Sequence, residues 1–311
     1  MWRISSNWKG GLYKLFGCVC FAIVNSLIRY VTGGANNAVN NLSFYQIVFL
    51  ENLIGATILL PWMLRKGVKL WITKWPLFHL IRVLFSVLGM FFWYASLKFM
   101  PIAQALSLSF TGPILGLFGA KIFLKEDIER SRLWAILLSL VGAFLIIKPH
   151  AAFSEKIGSN LSFDVFVLLP ILSGAAFAGT TLCDRALGKR GESPQLLTLY
   201  LLIFMAPLSF IPAFIDWHTP RIDIIIIISL MSVLSTLAYM SFAQAFKLAS
   251  VSFLTPFGFS KFIFSAIVAY FAFKEFPTGW NFWFGTGLIL LSIVFLSYHN
   301  SLKKIYIKFF H

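Results

Sequence analysis

Apolar residues form ten long runs along the chain, and short polar breaks separate them. The runs cover residues 11–31, 42–63, 76–97, 101–123, 132–148, 164–186, 195–215, 222–246, 251–273 and 279–298. A helix needs about 20 apolar residues to cross a hydrocarbon core of about 30 Å. The runs are about twice as long as the strands of a membrane barrel, and they do not alternate apolar with polar positions. The pattern therefore predicts an all-α membrane protein with ten transmembrane helices.

The composition agrees with a chain that is mostly surrounded by lipid. Hydrophobic residues make up 59% of the sequence and charged residues 12%, whereas a soluble domain has about 25% charged residues. The formal net charge of +15 comes from basic residues that cluster between the apolar runs. Because lysine and arginine in short loops mark the cytoplasmic side, both termini are predicted to be cytoplasmic, with membrane lipid and not nucleic acid as the partner.

The two halves of the chain resemble each other. One gapless shift aligns three pairs of residues: Lys98 with Lys247, Glu126 with Glu275, and Trp134 with Trp283. Each half contains five runs, and an odd number means that the second half enters the membrane the other way up. We therefore predict two inverted five-helix repeats, residues 11–148 and 164–298, around a central cavity, followed by a basic cytoplasmic tail at 301–311.

Lys261 lies in the middle of the ninth run, soon after Pro256. A charged side chain at that depth costs about 3 kcal/mol on insertion scales, so it normally faces a water-filled cavity or an ionic partner. Two interpretations stay open. Lys261 either attracts a carboxylate or phosphate of a substrate, or it is a structural charge that is paired with a carboxylate.

Glu51 is the candidate partner, because it lies well inside the second run. Burial would favour the neutral acid and make Glu51 a proton carrier, whereas an adjacent cation would favour the carboxylate. The structural alternative is an ion pair with Lys261, Arg29 or Arg82 that holds helices together.

Polar and aromatic residues near the ends of the first and third runs are further candidates for substrate binding. The guanidinium of Arg29, with Asn25 one turn before it, suits a carboxylate or phosphate, although a position near the end of a run also allows it to reach the headgroups. Trp93 and Tyr94 either stack on a ligand or belong to an interfacial aromatic belt.

Other charged residues receive structural interpretations. Arg82, near the start of the third run, is predicted to be an anchor at the cytoplasmic interface. Glu126 is predicted to cap the helix that follows it. Asp184 and Arg185 are predicted to pair with each other or to form part of a gate.

Short motifs add a resemblance to a known family. Pro113, followed by Glu126 at the end of the fourth run, and the run 255–259 with Phe257 at its centre resemble motifs of the drug/metabolite transporter superfamily, in particular its EamA-type members. The resemblance implies two inverted five-helix repeats in a bacterial inner membrane, and substrates such as S-adenosylmethionine or other amino-acid derivatives.

The sequence contains no HExxH, P-loop or GxSxG motif and no aspartate cluster, so we predict neither an enzyme nor a bound metal or cofactor. We predict a secondary transporter of a small organic metabolite that works by alternating access, with coupling to protons or to a counter-substrate. A membrane scaffold or lipid-handling protein without transport is the first alternative, and an intramembrane enzyme is the second.

Overall fold

The computed structural model describes residues 6–31, 42–65, 73–99, 108–109, 111–147, 168–215, 217–273 and 280–310. These ranges contain ten long helices and no strand. Their bounds are α1 Ser6–Val31, α2 Phe44–Arg65, α3 Pro76–Phe99, α4 Thr111–Phe123, α5 Arg130–Ile147, α6 Leu168–Lys189, α7 Pro194–Ile215, α8 Ile222–Leu248, α9 Val251–Phe273 and α10 Trp280–Phe310. The predicted helical class is confirmed, and each predicted run overlaps one helix.

Six of the described helices are long and apolar enough to cross a bilayer, namely α1, α2, α3, α7, α8 and α9. Helix α4 and the first part of α10 are apolar but shorter. Helix α10 continues through the predicted tail as far as Phe310, because neither glycine nor proline follows Gly287. The chain is a multi-pass membrane protein.

Helices from the two halves of the chain pack against each other throughout the bundle. Helix α1 packs along α8 and α9, and α6 packs along α3 and α4. Helix α2 packs along α7, and α5 along α10. The halves therefore interleave, so residues that face the centre of the bundle come from both.

Helices α4 and α6 approach closely because small residues line their contact. A side chain on Gly112 would place its Cβ 2.8 Å from the carbonyl oxygen of Gly174, which is closer than atoms can approach. One turn further along, Gly116 faces Ala178. These small residues let the two backbones touch, as is common between membrane helices.

Candidate functional site

Lys14 and Lys261 project into the same space between α1 and α9. The Cε atom of Lys14 is 3.5 Å from the position that a Cβ would occupy on Gly258. Gly258 and Lys261 are three residues apart and therefore lie on the same face of α9. On the α1 side, the Cys18 thiol is 3.8 Å from the carbonyl oxygen of Phe257. The two lysines thus come from opposite halves of the chain.

Lys261 is exposed although it lies in the middle of α9. Its neighbours Ser260 and Phe262 are buried. The Lys261 side chain lies on the face of α9 that Lys14 reaches. Among the described side chains the Lys261 ammonium has no ion pair, and it lies 5.1 Å from the centre of the Phe262 ring.

Aromatic rings of α1 and α8 surround the Lys14 side of this space. The Lys14 ammonium is 3.8 Å from the centre of the Phe242 ring. Phe21, two turns after Lys14 on α1, has its ring centre 5.3 Å from both Tyr239 and Phe242. We call the group formed by Lys14, Phe21, Tyr239, Phe242 and Lys261 the central site. It combines flat apolar surfaces with two ammonium groups.

Glu51 is bound by hydroxyl groups of α8. Ser235 donates a hydrogen bond to the Glu51 carboxylate, and Ser232 donates one of 2.6 Å to the Glu51 carbonyl oxygen. Among the described side chains Glu51 forms no ion pair, so the alternative of a pair with Lys261 or Arg82 is not observed. The reason is that α8, which packs against α2, brings serines to the carboxylate.

Arg82 is not an interfacial anchor, because its side chain is only 2% exposed. Its Nε donates to the Asp184 carboxylate, and its Nη1 donates to the Leu197 carbonyl oxygen at 2.8 Å. Asp184 therefore pairs across α3 and α6, not with Arg185 as predicted. A carboxylate that neutralises the guanidinium is what allows this charge to be buried.

Polar contacts continue along α3 and α6 from this ion pair. Ser86 and Thr180 share a hydrogen bond of 3.1 Å, and Ser173 donates to the Gly89 carbonyl oxygen at 2.7 Å. Each contact lies one or two turns from the next. This row of polar contacts fixes α3 against α6 beside the central site.

The connection between α8 and α9 is held by charged residues of α4–α5 and α6. Glu126 accepts a hydrogen bond of 3.2 Å from the Val251 backbone N–H, and it pairs with Arg185 at 2.7 Å and Lys189 at 3.2 Å. Arg185 also donates to the Phe246 carbonyl oxygen at 2.8 Å. We call Glu126, Arg185, Lys189 and the Val251 N–H the junction network.

Glu126 therefore caps a helix that is distant in sequence. The prediction that it caps the next helix, α5, is wrong, because α4 lies against α9 and directs the carboxylate to the first turn of α9. A carboxylate at a helix N-terminus is favourable in either case. Glu275 lies outside the described residues.

The remaining predicted site residues are dispersed. Asn25 is exposed on α1, and Trp93 is half-buried on α3. Phe257 is fully buried against α1, away from accessible surface. The side chains of Arg29 and Tyr94 lie outside the described part of the protein.

Lys14 is a residue that sequence reasoning misses, because a lysine near the start of an apolar run fits the positive charge expected at the cytoplasmic interface. A signal for its role is present in the sequence. Lys14, Cys18, Phe21 and Asn25 recur at helical spacing on one face of α1, which would be expected of a face that meets a polar space. In the described residues no group of His, Cys, Asp and Glu could hold a metal ion.

Comparisons with known proteins agree with this architecture. The model of the EamA-like transporter family matches residues 8–148 and 165–298. A riboflavin transporter of Vibrio cholerae serotype O1 is 28% identical over 95% of this chain and 95% of its own. An S-adenosylmethionine uptake transporter of Rickettsia bellii is 26% identical over 81% of this chain and 84% of its own.

A solved crystal structure shares the fold, with a TM-score of 0.73 and 16% identity over 92% of this chain and 94% of that one. The relatives are small-metabolite transporters by their names, and the family model covers both halves of the sequence. This chain therefore belongs to the EamA-like transporter family.

Proposed function

We propose that this transporter carries a planar heteroaromatic metabolite of the flavin type by alternating access. The observation that carries the proposal is the exposed Lys261 on the face of α9 that Lys14 reaches, with Lys14 against the Phe242 ring and Phe242 in contact with Phe21. A flat ring system can stack on these side chains, while the ammonium donates hydrogen bonds to carbonyl or anionic oxygens at the edge of the ring.

The charge of the site favours a flavin over S-adenosylmethionine. Riboflavin has a flat, neutral ring system that carries carbonyl oxygens, whereas S-adenosylmethionine carries a positive sulfonium. An ammonium without a carboxylate partner among the described side chains would repel the sulfonium. A relative that covers 95% of this chain is named for riboflavin, which supports the same choice.

Alternating access requires two halves that move around the site, and the helix contacts support two inverted repeats. The repeat relates each helix to the helix five positions away in the chain order. Under this relation the contacts of α1 with α8 and α9 correspond to the contacts of α6 with α3 and α4. The pairs α2–α7 and α5–α10 are exchanged with themselves. We assign the repeats to residues 11–148 and 164–298, with the substrate between them.

The orientation follows from the distribution of positive charge. Both termini lie in the cytoplasm of a bacterial cell, and the protein lies in its inner membrane. The junction network then closes the cytoplasmic end of the central site. No ATP-binding motif occurs in the sequence, so a gradient or exchange supplies the energy, and Glu51, held by Ser235 in a buried position, is the candidate proton carrier.

Uptake by reconstituted protein tests the proposed substrate. Proteoliposomes should accumulate labelled riboflavin, and S-adenosylmethionine should compete poorly. Phe21→Ala should raise the half-saturating concentration about 2- to 10-fold, because an aromatic contact contributes about 0.5–1.5 kcal/mol.

Phe118→Ala is the matched control, since the Phe118 side chain is 58% exposed on the outside of α4. It should leave riboflavin uptake unchanged. Absence of riboflavin uptake by the unaltered protein, or competition by S-adenosylmethionine as strong as by riboflavin, would contradict the proposed substrate.

Weakening the junction network should open the cytoplasmic end. Glu126→Gln removes the charge that pairs with Arg185 and Lys189, so a hydrophilic thiol reagent applied from the cytoplasmic side should label buried Cys18 several times faster. The rate is measured in protein whose other two cysteines are serine.

Asp223→Asn is the control for this measurement, because Asp223 is an exposed carboxylate at the opposite end of α8. It should not change the labelling rate. Equal labelling of Cys18 in the unaltered protein and in Glu126→Gln would show that this network does not close the site.

A further inference from the structure

Two ammonium groups share the central site, and one of them is not needed for the hydrogen bonds proposed above. Lys14 comes from the third turn of α1 and reaches the face of α9 that carries Gly258 and Lys261. Placing two like charges in one space is costly. A transporter that keeps both has a site suited to compensating negative charge from a ligand.

The carboxylates nearby are already engaged. Asp184, a buried acid of α6, is neutralised by Arg82. Among the described side chains, the partner of Glu51 is the Ser235 hydroxyl group, and neither Lys14 nor Lys261 forms an ion pair. The described part of the central site therefore carries uncompensated positive charge.

The aromatic rings beside Lys14 allow it to stay charged without an acidic partner. Its ammonium lies 3.8 Å from the centre of the Phe242 ring and 4.5 Å from that of Phe246. The negative faces of the rings attract a cation and partly replace its hydration. This interaction holds the charge in place yet leaves its net value unchanged.

We propose that Lys14 is a specificity-determining residue that, together with Lys261, makes the central site favour a phosphate or carboxylate on an otherwise neutral substrate and reject sulfonium or ammonium substrates. For the aromatic body of the substrate this inference rests on the proposed function. For charge selection it rests on the two lysines alone, so each part can be tested separately.

A cysteine reporter measures the charge of the site without any substrate. Ser265→Cys, one turn after Lys261 on α9, is introduced into protein whose three native cysteines are serine. Two methanethiosulfonates are compared, one bearing a sulfonate and one a trimethylammonium group. The rate of modification by the anionic reagent divided by the rate for the cationic reagent is called the charge preference. The unaltered lysines should raise this preference for the anionic reagent above that of a free thiol in solution.

Removing Lys14 should reduce the charge preference several-fold, because a unit charge near Gly258, about two helical turns from the reporter, acts on both reagents in opposite directions. Lys14→Gln and Lys14→Met should behave alike, and Lys14→Arg should retain the preference. Lys9→Gln, which removes an exposed lysine from the same helix, should leave it unchanged. An unchanged preference in both neutral variants, or the same loss in Lys14→Arg, would overturn the inference.

A matched pair of flavins separates this inference from the proposed function. Riboflavin and riboflavin 5′-phosphate differ only in one anionic group, and Lys14→Gln should weaken competition by the phosphate form about 10-fold more than competition by riboflavin. A charge preference that depends on Lys14 without any flavin uptake would overturn the flavin substrate but retain charge selection. Flavin uptake together with a charge preference that does not depend on Lys14 would retain the flavin substrate but overturn charge selection.

Discussion

Replacing Asp184 by asparagine is expected to lower the free energy of unfolding by about 3–5 kcal/mol, the largest effect on stability of any substitution considered. The change leaves the guanidinium of Arg82 buried without its counter-charge, and such an uncompensated charge costs that amount in other proteins. The Arg82 side chain is 2% exposed, so water cannot replace the lost carboxylate. Thermal unfolding of the purified protein in detergent measures the change.

Two controls separate the buried charge from a general loss of packing. Asp223→Asn breaks an exposed ion pair with Arg221, and it should change stability by less than about 1 kcal/mol. Replacing Arg82 and Asp184 together by methionine and leucine should recover much of the stability, because apolar residues often substitute well for a buried pair. Equal losses in the single and double variants would contradict this explanation.

Replacing Lys261 by alanine is expected to lower riboflavin affinity about 10- to 100-fold with little change in stability. A hydrogen bond to a charged group contributes about 1.5–3 kcal/mol, and no described ion pair is broken by the substitution. Lys261→Arg should retain part of the affinity, since it keeps the charge. Competition for labelled riboflavin in proteoliposomes gives the affinity, and thermal unfolding gives the stability.

Lys9→Ala serves as the comparison, because Lys9 is an exposed lysine of α1 outside the central site. Its riboflavin affinity should equal that of the unaltered protein. If Lys261→Ala transports riboflavin with unchanged affinity, Lys261 is not a substrate ligand. If it unfolds as readily as Asp184→Asn, the lysine has a structural role.

The helices were predictable because the lipid environment demands long apolar runs. The predicted run 251–273 coincides with α9, and the run 222–246 is nearly all of α8. Lys261 could be singled out for the same reason, since a charge in such a run needs an accessible surface. These conclusions depend only on residues that are close together in the sequence.

The partners of the charged residues were not predictable in this way. Arg82 meets Asp184, and Glu126 meets the first turn of α9, across helices that are far apart in sequence. Which faces meet depends on the rotation and shift of each helix in the bundle, and the apolar pattern constrains neither. Large apolar side chains occur on both the buried and the exposed faces of most of these helices, so hydropathy does not mark the face that looks inward.

Lys14 illustrates a related difficulty. A lysine near the start of an apolar run fits the positive charge expected at the cytoplasmic interface. Helix α1 begins at Ser6, so Lys14 already lies in its third turn. Only the adjoining side chains of α8 and α9 show that its ammonium turns inward and not toward the lipid headgroups.

The connection between α8 and α9 is only Ala249 and Ser250, and α1 packs along both helices. A joint of two residues can extend very little, so neither helix can shift along its axis at that end without displacing the other. Phe242 on α8 and Lys261 on α9 are consequently linked through one short joint. Any displacement of that joint therefore moves residues of the central site on both helices at once.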